Sequence, residues 1–352
     1  MNNLSNERRA LYARLLSSVK NSPVETVEFE GNTFSFKCDY KLPYGECHYS
    51  RVFSQLIYVK ECLGIIKPGD TLLETTSGSG GRAAAAVATA LGYKIVIAIP
   101  AGGEKARENA IIAAGGELYL TPSEEYVNGF PSFIKNFLSE NPGVRYINHV
   151  MGDVEGRGKG LNEISLNGFR PFVTEVLEAG IQPDVIISPL GNGTTTLPIV
   201  TGFKSIFRKT KVYGFESILA GYAHRAYYPG KYERIFGTNP DVFTRHDLPG
   251  SSPSHTDFVM PALDAAIPNL NGVALVTSDY TDNVFASVTS FSPADRSEQV
   301  VKWDDFDQDF LKDFGRTGRA GFAVAASLAR REGMVGKHFL VPVFDAAWHY
   351  DT

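Results

Sequence analysis

From about residue 71 onward, short runs of branched apolar residues alternate with helix-length stretches, and that alternation restricts the chain to parallel sheets with helical crossovers. The strand candidates are Thr71–Glu74, Lys94–Ile99, Glu117–Leu120, Arg145–Val150, Asp184–Ser188, Lys211–Phe215, Val273–Thr277 and Phe339–Val343. Most are continuously apolar rather than alternating, as strands covered on both faces must be. Between them lie helical stretches such as Gly81–Leu91, Glu104–Ala114, Phe130–Leu138 and Phe172–Ala179.

The N-terminal region differs. Leu11, Leu15 and Val19 are spaced for one face of a helix, and Val24–Glu30 and Thr33–Cys38 form a hairpin pattern around Gly31–Asn32, residues that tolerate positive φ. A further helix is expected from Tyr49 to about Ile66, ending at Lys67-Pro68-Gly69-Asp70. The segment Gly221–His255, rich in Tyr, Pro, Gly and Ser, reads as an irregular excursion.

With 352 residues and 43% apolar content, the chain can bury one large α/β unit or two domains. A net charge of −5 leaves no footprint for nucleic acid or an anionic membrane. No apolar run is long enough to span a bilayer and the N-terminus lacks an apolar signal core, so a cytoplasmic protein is expected. Cys38, Cys47 and Cys62 form neither a disulfide framework nor a metal motif. His48, His149, His224, His255 and His349 are scattered without ligand spacing, so no metal is expected and most read as structural.

Two loops carry chemistry. Thr75-Thr76-Ser77-Gly78-Ser79-Gly80-Gly81 joins a buried strand to a helix, where backbone N–H groups can approach an anion. Gly191-Asn192-Gly193-Thr194-Thr195-Thr196 follows DVIISPL and offers several N–H and O–H donors to a phosphate. Either alone could be an ordinary turn; together, both at the carboxyl ends of parallel strands, they mark the usual ligand crevice of such sheets. Arg157-Gly158-Lys159-Gly160 reads as a solvated turn with some capacity to clamp an anion.

The run KPGDTLLETTSGSGGRAAAAVATALGYKIVIAIPAGGEKARENAIIAAGGELYLTP resembles the cysteine synthase and tryptophan synthase β group of fold-type II pyridoxal phosphate (PLP) enzymes. PDVIISPLGNGTTT, KVYGFES and the closing LVPVFDAAWHYDT continue the resemblance. It implies two parallel-sheet domains with the ligand cleft between them. Residues 1–45 and 150–352 would form a large domain, and 46–149 a smaller mobile one. It also implies a homodimer.

The active-site positions diverge. Where the family carries its Schiff-base lysine, about eighteen residues before the KPG lysine, gapless counting gives Tyr49 and a one-residue gap gives His48; no lysine lies between Lys41 and Lys60. The ring-contacting Asn of the family becomes Ser79, and the Ser that faces the ring nitrogen falls on Arg319 or Ala320. The resemblance thus assigns Thr76, Ser77, Gly78, Ser79 and Gly80 to substrate and Gly191, Asn192, Gly193, Thr194 and Thr195 to phosphate. Three readings stay open. The first is an enzyme for a small amino-acid-like or phosphorylated anion, with Tyr49 and His48 moving protons and PLP non-covalent or absent. The second is PLP-dependent β-elimination or β-replacement with unusual contacts. The third is a non-catalytic relative that binds a ligand or a catalytic paralogue.

Overall fold

The computed structural model describes residues 4–236, 248, 259–279, 284–289, 298–302 and 309–350. Part of the Gly221–His255 excursion therefore lies outside the described residues.

The chain opens with helix α1 (Asn6–Ser18) and the hairpin β1 (Val24–Phe29) and β2 (Asn32–Cys38), followed by α2 (Tyr49–Cys62). A run of parallel units comes next: β3 (Thr71–Thr75), α3 (Gly80–Ala90), β4 (Lys94–Pro100), α4 (Lys105–Ala113), β5 (Glu117–Thr121), α5 (Phe130–Glu140) and β6 (Val144–Tyr146). These strands form a four-stranded parallel sheet in the order β5-β4-β3-β6.

The second half continues through α6 (Glu163–Phe169), α7 (Pro171–Glu178), β7 (Val185–Pro189), α8 (Thr196–Ile206) and β8 (Lys211–Ser217). It then runs through α9 (Tyr222–Tyr227), α10 (Lys231–Phe236), α11 (Pro261–Ala266), β9 (Gly272–Asp279), β10 (Val284–Thr289) and β11 (Glu298–Lys302). Helix α12 (Arg316–Ala329) and β12 (His338–Val343) close it. Among the described residues these strands and the hairpin build an eight-stranded sheet, β1-β2-β12-β7-β8-β9-β10-β11. Its centre, from β2 to β9, is parallel and its outer pairs are antiparallel.

Apolar side chains on both faces explain the parallel centre. On one face Phe34 stacks on Phe339 at 4.9 Å and meets Phe322 of α12 edge-on at 5.4 Å. On the other, Phe169, Phe172, Ile199 and Phe203 bury against Ile186, Val212 and Leu340. The smaller sheet has its own core, built from α2, α3 and strands β3 and β4; α1, which the sequence grouped with the larger domain, contributes Tyr12 and Leu15 to it. Arg8 on α1 holds Glu61 on α2 through two hydrogen bonds of 2.6 and 2.7 Å.

A buried ionic cluster fixes α2 against the larger body. Arg51 donates to Asp39, just past β2, at 2.9 and 3.0 Å, and to Glu175 of α7 at 2.5 and 2.7 Å. Lys37 reaches the same Glu175 at 2.7 Å. All four side chains are nearly inaccessible. Such a pairing compensates its own desolvation only while every partner is present, so it specifies where the first turn of α2 sits. Tyr49 opens that turn.

Candidate functional site

Between the two sheets lies a cleft of about 460 Å³, lined from both bodies. The turn Tyr44–His48 forms one edge. It needs positive φ at Tyr44, Gly45 and Glu46, and a side chain at Gly45 would meet Ala83 Cα at 2.7 Å. His48 N donates to Phe344 O at 3.0 Å, which ties the start of α2 to the end of β12.

The two glycine loops meet in this cleft. Thr76, Ser77, Gly78 and Ser79 line it, with Gly80 just behind; a side chain there would press on the Tyr49 ring at 3.2 Å. From the opposite body come Gly191, Asn192 and Thr195. Gly193 and Thr194 form the buried back of the same loop, where α8 begins; Leu197 N donates to Gly193 O at 3.0 Å and Pro198 carries no N–H, so the donors of this loop precede the helix or come from Thr196. Arg157-Gly158-Lys159-Gly160, read as a surface turn, sends Gly158 and Lys159 into the lining.

His48 and Tyr49 both line the cleft but differ in kind. His48 lies between Phe344 and Tyr49, with ring centroids 4.2 and 4.1 Å away, and its Nδ1 sits 3.4 Å from Phe344 O. Burial pushes its pKa down to about 4, so it is a neutral ring and a weak base. Burial drives the Tyr49 phenol well above its ordinary range, opposed mainly by its contact with Asn192. It therefore serves as a hydrogen-bond donor and not as a base.

Arg319 and Ala320 are outside the cleft lining. The Arg319 guanidinium donates to Phe314 O and Lys312 O at 2.7 and 2.8 Å, and Ala320 is in the core under the large sheet. The residues that do enter from this side are Thr317 and Asp345. Thr317 Oγ1 lies 3.3 Å from Asp345 Oδ1, and Tyr350 donates to Oδ2 at 2.5 Å. Burial raises the Asp345 pKa, against the pull of Tyr350 and Arg107.

A second group missed in the sequence surrounds Tyr49. Glu74, at the end of β3, is fully buried; its carboxylate accepts from Thr75 N at 2.8 Å and His149 N at 3.1 Å. His149 Nδ1 lies 3.3 Å from Glu74 Oε1, within ion-pair range though off the line of an ideal hydrogen bond. Asn192 Nδ2 reaches both His149 Nε2, at 3.4 Å, and Tyr49 Oη, at 3.3 Å. The signal was a charged residue, Glu74, directly after two core leucines in a strand that is otherwise buried.

Residues 17–275 match the model of the pyridoxal-phosphate dependent enzyme family. The chain belongs to that family. The cysteine synthase of Staphylococcus aureus (strain N315) is 41% identical over 93 residues, covering 26% of this chain and 30% of that protein. Cysteine synthase A of Escherichia coli (strain K12) is 32% identical over 185 residues, covering 53% and 50%. The chain thus spans about a third to a half of the length of these curated relatives.

Among solved structures, O-ureido-L-serine synthase superposes with a TM-score of 0.72 at 19% identity, covering 95% of this chain and 92% of that one. A hydrogen sulfide-producing enzyme from Fusobacterium nucleatum gives 0.73 at 15% identity, covering 99% and 100%. These likenesses establish the fold-type II, tryptophan synthase β-like architecture of two parallel-sheet domains.

The cleft can be tested for the family's cofactor. On the phosphate side the residues fit: Thr194 Oγ1 is buried and has no hydrogen-bond partner among the described residues, in the loop that opens α8. Thr317 and Asp345 supply polar groups for a heteroaromatic ring. At the aldehyde end, the first residue of α2 is a phenol, which forms no imine. Among the described lining residues the one lysine is Lys159, on an exposed turn. The cleft therefore offers groups that fit the phosphate and the ring of PLP.

Proposed function

We propose that the protein is an enzyme acting on a small amino-acid-like or phosphorylated anion in this cleft, with PLP bound non-covalently and Tyr49 standing in the lysine's place. The observation that carries this reading is Tyr49 itself, at the first residue of α2, a helix that Arg51 ties to Glu175 of the larger body, and in contact with Asn192 of the second glycine loop.

The PLP would supply an electron-withdrawing ring. Gly191, Thr195 and the α8 N-terminus would hold its phosphate, while Thr317 and Asp345 would meet the ring. The Thr76–Ser79 loop would bind the carboxylate of an amino-acid-like substrate through N–H and hydroxyl donors. Tyr49, already accepting from Asn192, keeps its O–H free to donate to the ligand. Phe130, Ile134 and Met151 form an apolar wall to the same cleft. That wall favours a substrate with an apolar portion besides its anionic group.

The test is an absorption spectrum of the purified protein with and without PLP, followed by borohydride reduction and intact mass. Saturable PLP binding with no reduced adduct is the expected result. A second reading, with a conventional covalent cofactor, is favoured by Lys159 in the lining; a reduced adduct on that residue would establish it and displace the first.

A further inference from the structure

The hydrogen-bond directions around Asn192 fix the protonation of a histidine. Asn192 Oδ1 accepts from Thr194 N at 3.0 Å, which settles the orientation of the amide. Its Nδ2, a donor only, therefore faces His149 Nε2 at 3.4 Å and Tyr49 Oη at 3.3 Å. His149 Nε2 must then present its lone pair. In the tautomer this contact selects, the proton sits on Nδ1, 3.3 Å from the buried carboxylate of Glu74.

This is the arrangement of a base: a lone pair on the nitrogen that Asn192 now holds at the cleft and, behind the ring, the carboxylate of Glu74 to orient it. The surroundings favour it. His149 is 3% and Glu74 0% exposed, so the carboxylate acts on the ring through little solvent. The 3.4 Å contact to Asn192 is long enough for a ligand to replace. Of the other cleft candidates, His48 is turned to a backbone carbonyl and Tyr49 is held as a phenol.

Resting on the functional reading above, we propose that His149 is the catalytic base of this cleft, with Glu74 and Asn192 as its positioning residues. In the step assigned to it, one C–H bond next to the substrate's carboxylate breaks. The proton passes to Nε2, and the electron pair stays with the substrate carbon. Glu74 orients the ring, and exchange of the Nε2 proton with solvent followed by return to carbon regenerates the starting state.

The primary test reads the tautomer with neither ligand nor turnover. ¹⁵N-labelled histidine spectra of the full chain at neutral pH, assigned by loss of signal in His149→Gln, are expected to show a protonated Nδ1 and an unprotonated Nε2. In Glu74→Gln the preference for that tautomer should weaken, with circular dichroism confirming the fold. The second test is uptake of solvent deuterium at Cα of L-amino acids in the presence of PLP. His149→Gln should slow it about 10²- to 10⁴-fold, while Tyr49→Phe, lacking a base role, should slow it less.

A protonated Nε2 in the wild type overturns the assignment. So does deuterium uptake in His149→Gln equal to that of the wild type. The expected tautomer with no uptake by the wild-type protein overturns the cofactor-dependent reading on which the proposal rests.

Discussion

Replacing Gly193 by alanine tests whether the phosphate loop is pressed against α11. Gly193 sits at φ +87°, and a methyl group there would lie 2.0 Å from Leu263 N and 2.3 Å from Ala262 C. The left-handed conformation alone costs a residue with a Cβ about 1–2 kcal/mol. The collision is with backbone, which cannot swing aside as a side chain would, and overpacking of this kind adds about 1–3 kcal/mol. Gly180→Ala isolates the first effect, because Gly180 has φ +76° and open space around it. The expected loss is roughly 2–5 kcal/mol for Gly193→Ala and about 1–2 kcal/mol for Gly180→Ala. Denaturant unfolding followed by tryptophan fluorescence and circular dichroism measures both. Calorimetry with inorganic phosphate should also show at least tenfold weaker binding in Gly193→Ala alone, since the loop must move to relieve the clash. Equal losses of stability in the two variants, or unchanged phosphate binding in Gly193→Ala, would refute the argument that this glycine lets two backbones touch at the cradle.

Arg51→Leu should destabilise the protein by about 3–5 kcal/mol, because Asp39 loses its buried ion-pair partner and Glu175 keeps only Lys37; a denaturation midpoint unchanged from wild type would contradict that. His48 is kept neutral at a pKa of about 4 against 6.5 in a free chain, so below pH 6.5 the unfolded state binds a proton that the folded state refuses. Stability is therefore complete above pH 6.5 and falls as the pH drops toward 4, by up to about 3 kcal/mol from this group. His48→Phe should flatten the decline, and an unchanged slope would exclude His48 as its source. Tyr49→Phe should keep the fold and PLP binding but weaken the amino-acid ligand by about 0.5–1.5 kcal/mol through the lost O–H donor, as titration calorimetry can show. Ile134→Asp should remove any preference for amino acids with apolar side chains over serine in thermal-shift assays, a preference of about 1.5–3 kcal/mol for a side chain of leucine size.

The parts of this protein that could be read from sequence are those encoded locally. Both glycine loops follow apolar strands directly, so strand, turn and helix start are specified by adjacent residues, and the structure brings the loops to one cleft. The outer strands β10 and β11 were not anticipated, because their antiparallel pairing depends on neighbours in the sheet and not on a continuous apolar run. The assignment to Arg319 and Ala320 failed for a geometric reason. On α12, residues two and three positions past Thr317 are rotated by about 200° and 300° around the axis. A small offset in register therefore carries a side chain from the cleft to a carbonyl-capping site or into the core.

The group around Tyr49 was hidden for a different reason. Glu74, His149 and Asn192 are separated by 75 and 43 residues, and only the parallel order of the sheets brings them together. No spacing rule covers that distance, which is why His149 looked like one more scattered histidine. What the sequence did offer was an inconsistency: a carboxylate in a strand whose preceding residues, Leu72 and Leu73, are fully buried. A buried charge needs a partner, and the partner here is a histidine whose other nitrogen faces the cleft. Tyr49 opens α2, and the same cleft holds a carboxylate-backed imidazole within one amide of that tyrosine. If Tyr49 stands where the family carries its lysine, as proposed, the cleft would still hold a proton acceptor, which is what the altered-chemistry reading requires.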